Sequence, residues 1–195
     1  MPDQKSYAHF VKHPRYGRQP RLTGLNPQTD FEGNVFLHWH SPQSCRIDNT
    51  AIAANLDQQV AATIPVTHYY DVERQCRDCA RMFIFFAAEQ KYWYEELKFP
   101  LESDCIRCFS CRAKQRHIAR TLEQYESLFH IPDRTSEQTL MMIECCLYLI
   151  ENNVFDFTSK QTQRIRTLLN TVPNEPKFKK RLKKIWQRFH KIQSG

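Results

Sequence analysis

The spacing of five cysteines constrains this chain more than any other feature. Cys76, Cys79, Cys105, Cys108 and Cys111 fall within 36 residues, while Cys45 stands apart and Cys145 and Cys146 are adjacent. The opening MPDQKSYAHFVKHPRYGRQPR has no apolar run of the secretory kind. No stretch reaches the roughly 20 apolar residues that span a bilayer. A cytoplasmic location is therefore expected, and there thiols stay reduced and clustered cysteines serve metals in preference to disulfides.

Zn²⁺ favours four tetrahedral ligands, and C-x-x-C presents two thiolates from one tight turn. Cys76-Arg-Asp-Cys79 supplies the first pair. Cys105-Ile-Arg-Cys108-Phe-Ser-Cys111 offers two overlapping second pairs, so the ligand register has two solutions. Cys108 with Cys111 is the favoured one, because Cys111 then opens the helix that starts Arg112-Ala-Lys-Gln, and a helix N-terminus lowers thiol pKa values. Cys105 is the register alternative, and otherwise a bystander near the metal. The expected order is a knuckle, a β-hairpin and a helix bearing the last ligands, as in a treble clef. One structural zinc is expected. A site closed by four cysteines leaves no position for water or substrate.

The rest of the chain reads around that module. Residues 1–65 form an irregular N-terminal segment rich in proline and glycine, within which 51–62 could make a short helix. Residues 66–116 form the zinc-binding module. Val66 to Val72 and Arg81 to Phe86 read as paired strands, and Ala87 to Leu97 as a helix stopped by Pro100. Residues 117–195 form a helical bundle ending in a basic helix. There Thr135 and Gln138 make a capping box ahead of an apolar, buried helix. The fold class is α+β: a small zinc-ribbon or treble-clef β-hairpin module joined to a mainly α-helical C-terminal bundle.

The run C-x-x-C, Phe83-Ile-Phe85, Glu89-Gln90 followed by Tyr92-Trp93, then C-x-x-C-R resembles the bacterial family described as a probable zinc-ribbon or treble-clef domain. The resemblance covers about residues 70–116, and His13-Pro-Arg-Tyr-Gly17 with Thr23-Gly-Leu-Asn-Pro27 is similar to longer members. It implies zinc and a fold. One departure is Ala80, which stands where the family has a glycine at a position of positive φ, a conformation harder on alanine.

Glycine is scarce, with four in the chain, so the phosphate-cradling loops of nucleotide-binding enzymes are absent, as is the G-x-S-x-G elbow. No nucleophile and base can be paired, and neither catalytic residues nor a small-molecule substrate are inferred. His38-Trp-His40 with Cys45 offers a minor second metal site. Phe83, Phe85, Phe86, Tyr92, Trp93 and Tyr94 read as a small core before they read as base-stacking residues.

The formal charge of +7 lies in the tail: residues 177–195 hold eight Lys or Arg and no Asp or Glu. Phe178, Leu182, Ile185, Trp186, Phe189 and Ile192 form an apolar stripe along this helix. Lys179, Lys180, Arg181, Lys183, Lys184 and Arg188 are its candidate anion or nucleic-acid contacts, with an anionic membrane as a further option. The first functional expectation is a non-catalytic zinc protein touching nucleic acid through this helix. The second is a protein-interaction adaptor with a purely structural zinc.

Overall fold

The computed structural model describes residues 6–29, 35–62 and 64–194. The chain forms two compact units, Met1–Ala113 and Lys114–Gly195.

The first unit holds two small antiparallel sheets. β1 (Ile52–Ala53) pairs with β2 (His68–Tyr69), Ile52 opposite Tyr69. β3 (Val72–Gln75) pairs with β4 (Met82–Phe85) from Val72 opposite Phe85 to Gln75 opposite Met82. Side chains alternate across a strand, and β4 uses both faces. Phe83 and Phe85 pack with the cysteines and Val11, whereas Ile84 and Phe86 pack with Tyr7 and Phe10 of the N-terminal segment.

α1 (Ala87–Lys91) runs into a single π-helical turn, Tyr92–Glu96, in which Leu97 N–H donates to the Tyr92 carbonyl at 3.0 Å. Buried Asp71 holds its start. One carboxylate oxygen accepts from Ala87 N–H at 2.7 Å and the other from Arg21 N–H at 2.9 Å. Burial pushes the Asp71 carboxyl up to about 6 despite these bonds. Gln90 ties α1 to the sheets, its amide donating to the carbonyls of Tyr70 and Phe85.

Residues 51–62 do not form a helix. Ile52 and Ala53 are taken by β1, and Leu56–Gln58 make one 3₁₀ turn, with Asp57 N–H bonded to the Asn55 side chain. The segment lacks an apolar face to bury, since Leu56 and Val60 are exposed. A helix this short needs such packing to persist.

The boundary between the units falls within α2 (Phe109–Phe129). The second unit continues with α3 (Ser136–Glu151), α4 (Ser159–Thr171) and α5 (Pro176–Gln193). α3 is central and buried over most of its surface, and packs on both α4 and α5. Its ends are closed as helix chemistry requires. The Thr135–Gln138 capping box is formed, with bonds of 3.3 and 2.9 Å. At the other end Asn153 takes φ 56°, letting Val154 N–H reach the Leu149 carbonyl and Asn153 N–H the Ile150 carbonyl, both at 2.9 Å. Pro176 opens α5 at a position where no N–H is needed. Phe178, Ile185 and Phe189 of α5 are buried in one continuous core with α3 and α4.

Candidate metal centre

The turn between β3 and β4 carries Cys76 and Cys79. Cys76 N–H pairs with the Arg81 carbonyl at 2.9 Å, and Ala80 N–H returns to the Cys76 carbonyl at 2.8 Å, which folds the knuckle. Ala80 sits at φ 56°, the left-handed region that its place in the family pattern predicts. The facing segment is joined on by Arg77 N–H to the Ile106 carbonyl, 2.9 Å, and by the Arg107–Asp78 ion pair at 2.9 Å. Cys108 immediately precedes α2, Cys111 lies in its first turn, and Arg112 N–H donates to the Cys108 carbonyl at 3.0 Å.

These elements bring the sulfurs of Cys76, Cys79, Cys108 and Cys111 within 4.8 Å of one another, the single cluster of metal-ligating side chains among the described residues. Cys79 and Cys108 Sγ are 3.9 Å apart. A tetrahedron with Zn–S near 2.3 Å has edges of about 3.8 Å, so the donor set fits zinc in number, chemistry and spacing. Cys105 stands outside it. Its thiol is buried, donates to the Arg107 carbonyl at 3.4 Å, and is pushed by burial up to about 12.

The electrostatics reverse one expectation. Burial acts upward on Cys76, but backbone N–H groups of Cys108, Cys79 and Asp78 outweigh it and bring that thiol down to about 6. Cys79 is lowered, chiefly by its hydrogen bond with the Arg81 side chain. Cys108 and Cys111, the pair at the helix start, are raised instead, by burial first and then by the neighbouring sulfurs. Burial is the larger cause, and the repulsion of neighbouring sulfurs adds to it. A divalent cation among them removes that repulsion and ionises the whole set.

A clamp unforeseen from the sequence lies beside the cluster. Glu89 of α1 accepts from Arg112 Nη2 at 2.6 Å, and the same oxygen is 3.5 Å from His13 Nε2. His13 Nδ1 accepts the N–H groups of Arg15 and Tyr16 at 3.2 Å, which places the ring proton on Nε2, toward Glu89. Arg112 also lies 4.9 Å over the Trp93 ring. The signal was present, since each residue belongs to a separate motif of the family resemblance.

His38 and His40 take different partners. Their Nε2 atoms lie 2.8 and 3.2 Å from the carbonyl oxygens of Leu101 and Glu102, and Cys45 is not grouped with them.

In the second unit the six tail candidates separate by residue type. Arg181 forms a bidentate pair with Glu144 at 2.8 and 2.6 Å and reaches Glu137 at 2.5 Å. Arg188 is bidentate to Glu151 at 2.9 and 2.7 Å. Lys179, Lys180, Lys183 and Lys184 point outward with Lys191, all exposed.

Residues 70–120 match the family model described as a probable treble clef domain. The knuckle, hairpin and cysteine-led helix are the parts of that fold, and the clustered cysteines are of the kind that holds zinc. No curated protein and no solved structure matches the chain.

Proposed function

We propose that the chain is a non-catalytic zinc-binding protein, with one structural Zn²⁺ on Cys76, Cys79, Cys108 and Cys111, that contacts nucleic acid through the lysine face of α5. For the metal, the convergence of four sulfurs at tetrahedral spacing supports the reading. Zinc supplies cross-linking of the knuckle to the start of α2, and four thiolates leave it no open position for chemistry. Metal content by mass spectrometry tests this. One zinc per chain should persist in Cys105→Ser and be lost in Cys108→Ser and Cys111→Ser; loss in Cys105→Ser and Cys108→Ser with retention in Cys111→Ser makes Cys105 the fourth ligand in place of Cys111.

The observation that carries the contact surface is the division of α5. Its arginines turn inward to α3 carboxylates, while five lysines face outward with no acidic residue among them. The apolar stripe is committed to the bundle core, so α5 has no free apolar face to lay into a bilayer. Deleting 177–195 would remove Phe178, Ile185 and Phe189 from that core, so substitution is the proper test. With five phosphates neutralised, affinity for a duplex should fall with salt at a log–log slope near about −4.5. Replacing Lys180, Lys183 and Lys184 by Gln should flatten that slope by about 2–3. A slope near zero removes the reading.

A further inference from the structure

Resting on that reading, we propose that the α5 face is built for the phosphodiester backbone of a double helix, taken without regard to sequence, and not for a single strand. The argument lies in which side chains reach the surface. Single-strand binders combine a basic groove with exposed aromatic rings on which bases stack. On α5 the aromatic rings are turned inward. Phe178 and Phe189 are buried, and Trp186 is half-buried against Phe189 with ring centroids 5.8 Å apart. The exposed ring of α5, His190, is already stacked on Trp186 at 5.4 Å. A flexible strand laid on this face would be ordered with no stacking in return.

Residue type also argues against base reading. Bidentate recognition of guanine is arginine chemistry above all. Arg181 and Arg188 spend their guanidinium forks on Glu144 and Glu151, and Arg166 of α4 lies 6.0 Å over the Phe189 ring. What reaches solvent on this face is mainly lysine, with Gln187 the one neutral amide among them; lysine is a point charge on a flexible stem that finds phosphates without choosing bases.

The arrangement suits a rigid partner. Lys179, Lys180, Lys183, Lys184 and Lys191 lie along a helix that the core holds in place, spanning about 18 Å at 1.5 Å per residue. A double helix presents one charge per about 1.7 Å of axis, so the row meets a dense, pre-ordered anionic ladder. Neither partner needs to be ordered on contact.

Fluorescence anisotropy with the full zinc-loaded chain tests this, using a labelled 20-bp DNA duplex, the matching RNA duplex, and each single strand. The expected result is at least tenfold tighter binding of a duplex than of its own strands at 50 mM salt. Two scrambled duplex sequences should agree within about threefold, and the Lys180→Gln, Lys183→Gln, Lys184→Gln triple variant should lose at least 30-fold. The DNA and RNA arms identify which duplex is the source of the phosphates. Equal or tighter binding of single strands overturns the duplex assignment and leaves the nucleic-acid reading standing. A strong preference between scrambled sequences overturns the sequence-blind part. No binding beyond that of the triple variant overturns both readings, and tighter binding to phosphatidylserine vesicles replaces the partner class. Lys180, Lys183 and Lys184 are exposed and in no ion pair among the described residues, so the triple variant should melt like the parent chain.

Discussion

Ala80 is a side chain held where glycine is at ease. At φ 56° its Cβ approaches the following carbonyl at a cost of about 1–2 kcal/mol. The knuckle nevertheless needs this conformation, because Ala80 N–H must turn back to the Cys76 carbonyl. Ala80→Gly should therefore raise stability by about 0.5–1 kcal/mol, the relief of strain exceeding the added freedom of the unfolded chain; a lower melting temperature in the variant would contradict the strain. His38 gives a second prediction. Burial brings its pKa down to about 4, its Nε2 faces the Leu101 carbonyl, and its Nδ1 already accepts the His40 N–H at 3.1 Å. A further proton would have to enter at Nδ1 and break that bond. The folded pKa lies below the unfolded value near 6.5, so the stability from neutral His38 is complete above 6.5 and lost as pH falls toward 4. In ¹⁵N spectra His38 should remain neutral at pH 5.5. A midpoint near 6.5 for His38 would mean that its ring is solvated.

Among the elements, those whose partners lie close in sequence were legible. The cysteine spacing foretold the knuckle, the aromatic run 81–86 foretold β4, and Thr135 with Gln138 foretold the cap of α3. What could not be read depended on distant partners. Residues 51–62 carry helix-forming alanines, but the pairing of Ile52 with Tyr69 decides their shape. The six basic residues of α5 look alike in sequence, and only the carboxylates of α3, 37 and 44 residues away, sort the two arginines from the lysines. The Glu89 clamp likewise joins residues 23 apart on one side and 76 apart on the other. From the α5 division follows a test at the element scale. Arg181→Gln and Arg188→Gln should each lower stability by about 0.5–1 kcal/mol, as partly exposed but bidentate pairs do. They should leave the salt slope for nucleic acid unchanged. A variant that keeps its melting temperature and flattens the slope would show these arginines facing the ligand.

At the scale of the whole molecule, the two units are held by different means. The second has one continuous core built on α3, α4 and α5. The first distributes its buried side chains over four small clusters, of which one consists largely of the cysteines themselves with Val11, Phe83 and Phe85. Small separate clusters bury too little apolar surface to stand alone, and a structural metal is the usual remedy. Chelation should therefore raise amide exchange through residues 70–112 and through the segment around Val11 and His13 that packs against them. α3 to α5 should keep their protection. Uniform loss of protection along the chain would show that the metal supports both units, and no change would show that the sulfur cluster is not a fold determinant. No helix among the described residues is long and apolar enough to cross a membrane.

The division of α5 between inward arginines and outward lysines also bears on how this helix can change over generations. Arg181 and Arg188 are tied to the bundle, so any lineage that keeps α3 and α5 packed is under selection to keep them, whatever α5 binds. The five lysines are exposed, and substitutions at such sites usually stay within about ±0.5 kcal/mol. They are invisible to selection for stability and open to drift once their ligand is lost. Among descendants of this chain, arginines retained beside eroded lysines would mark a bundle that has given up its partner, while lysines retained as faithfully as the arginines would mark one still in use.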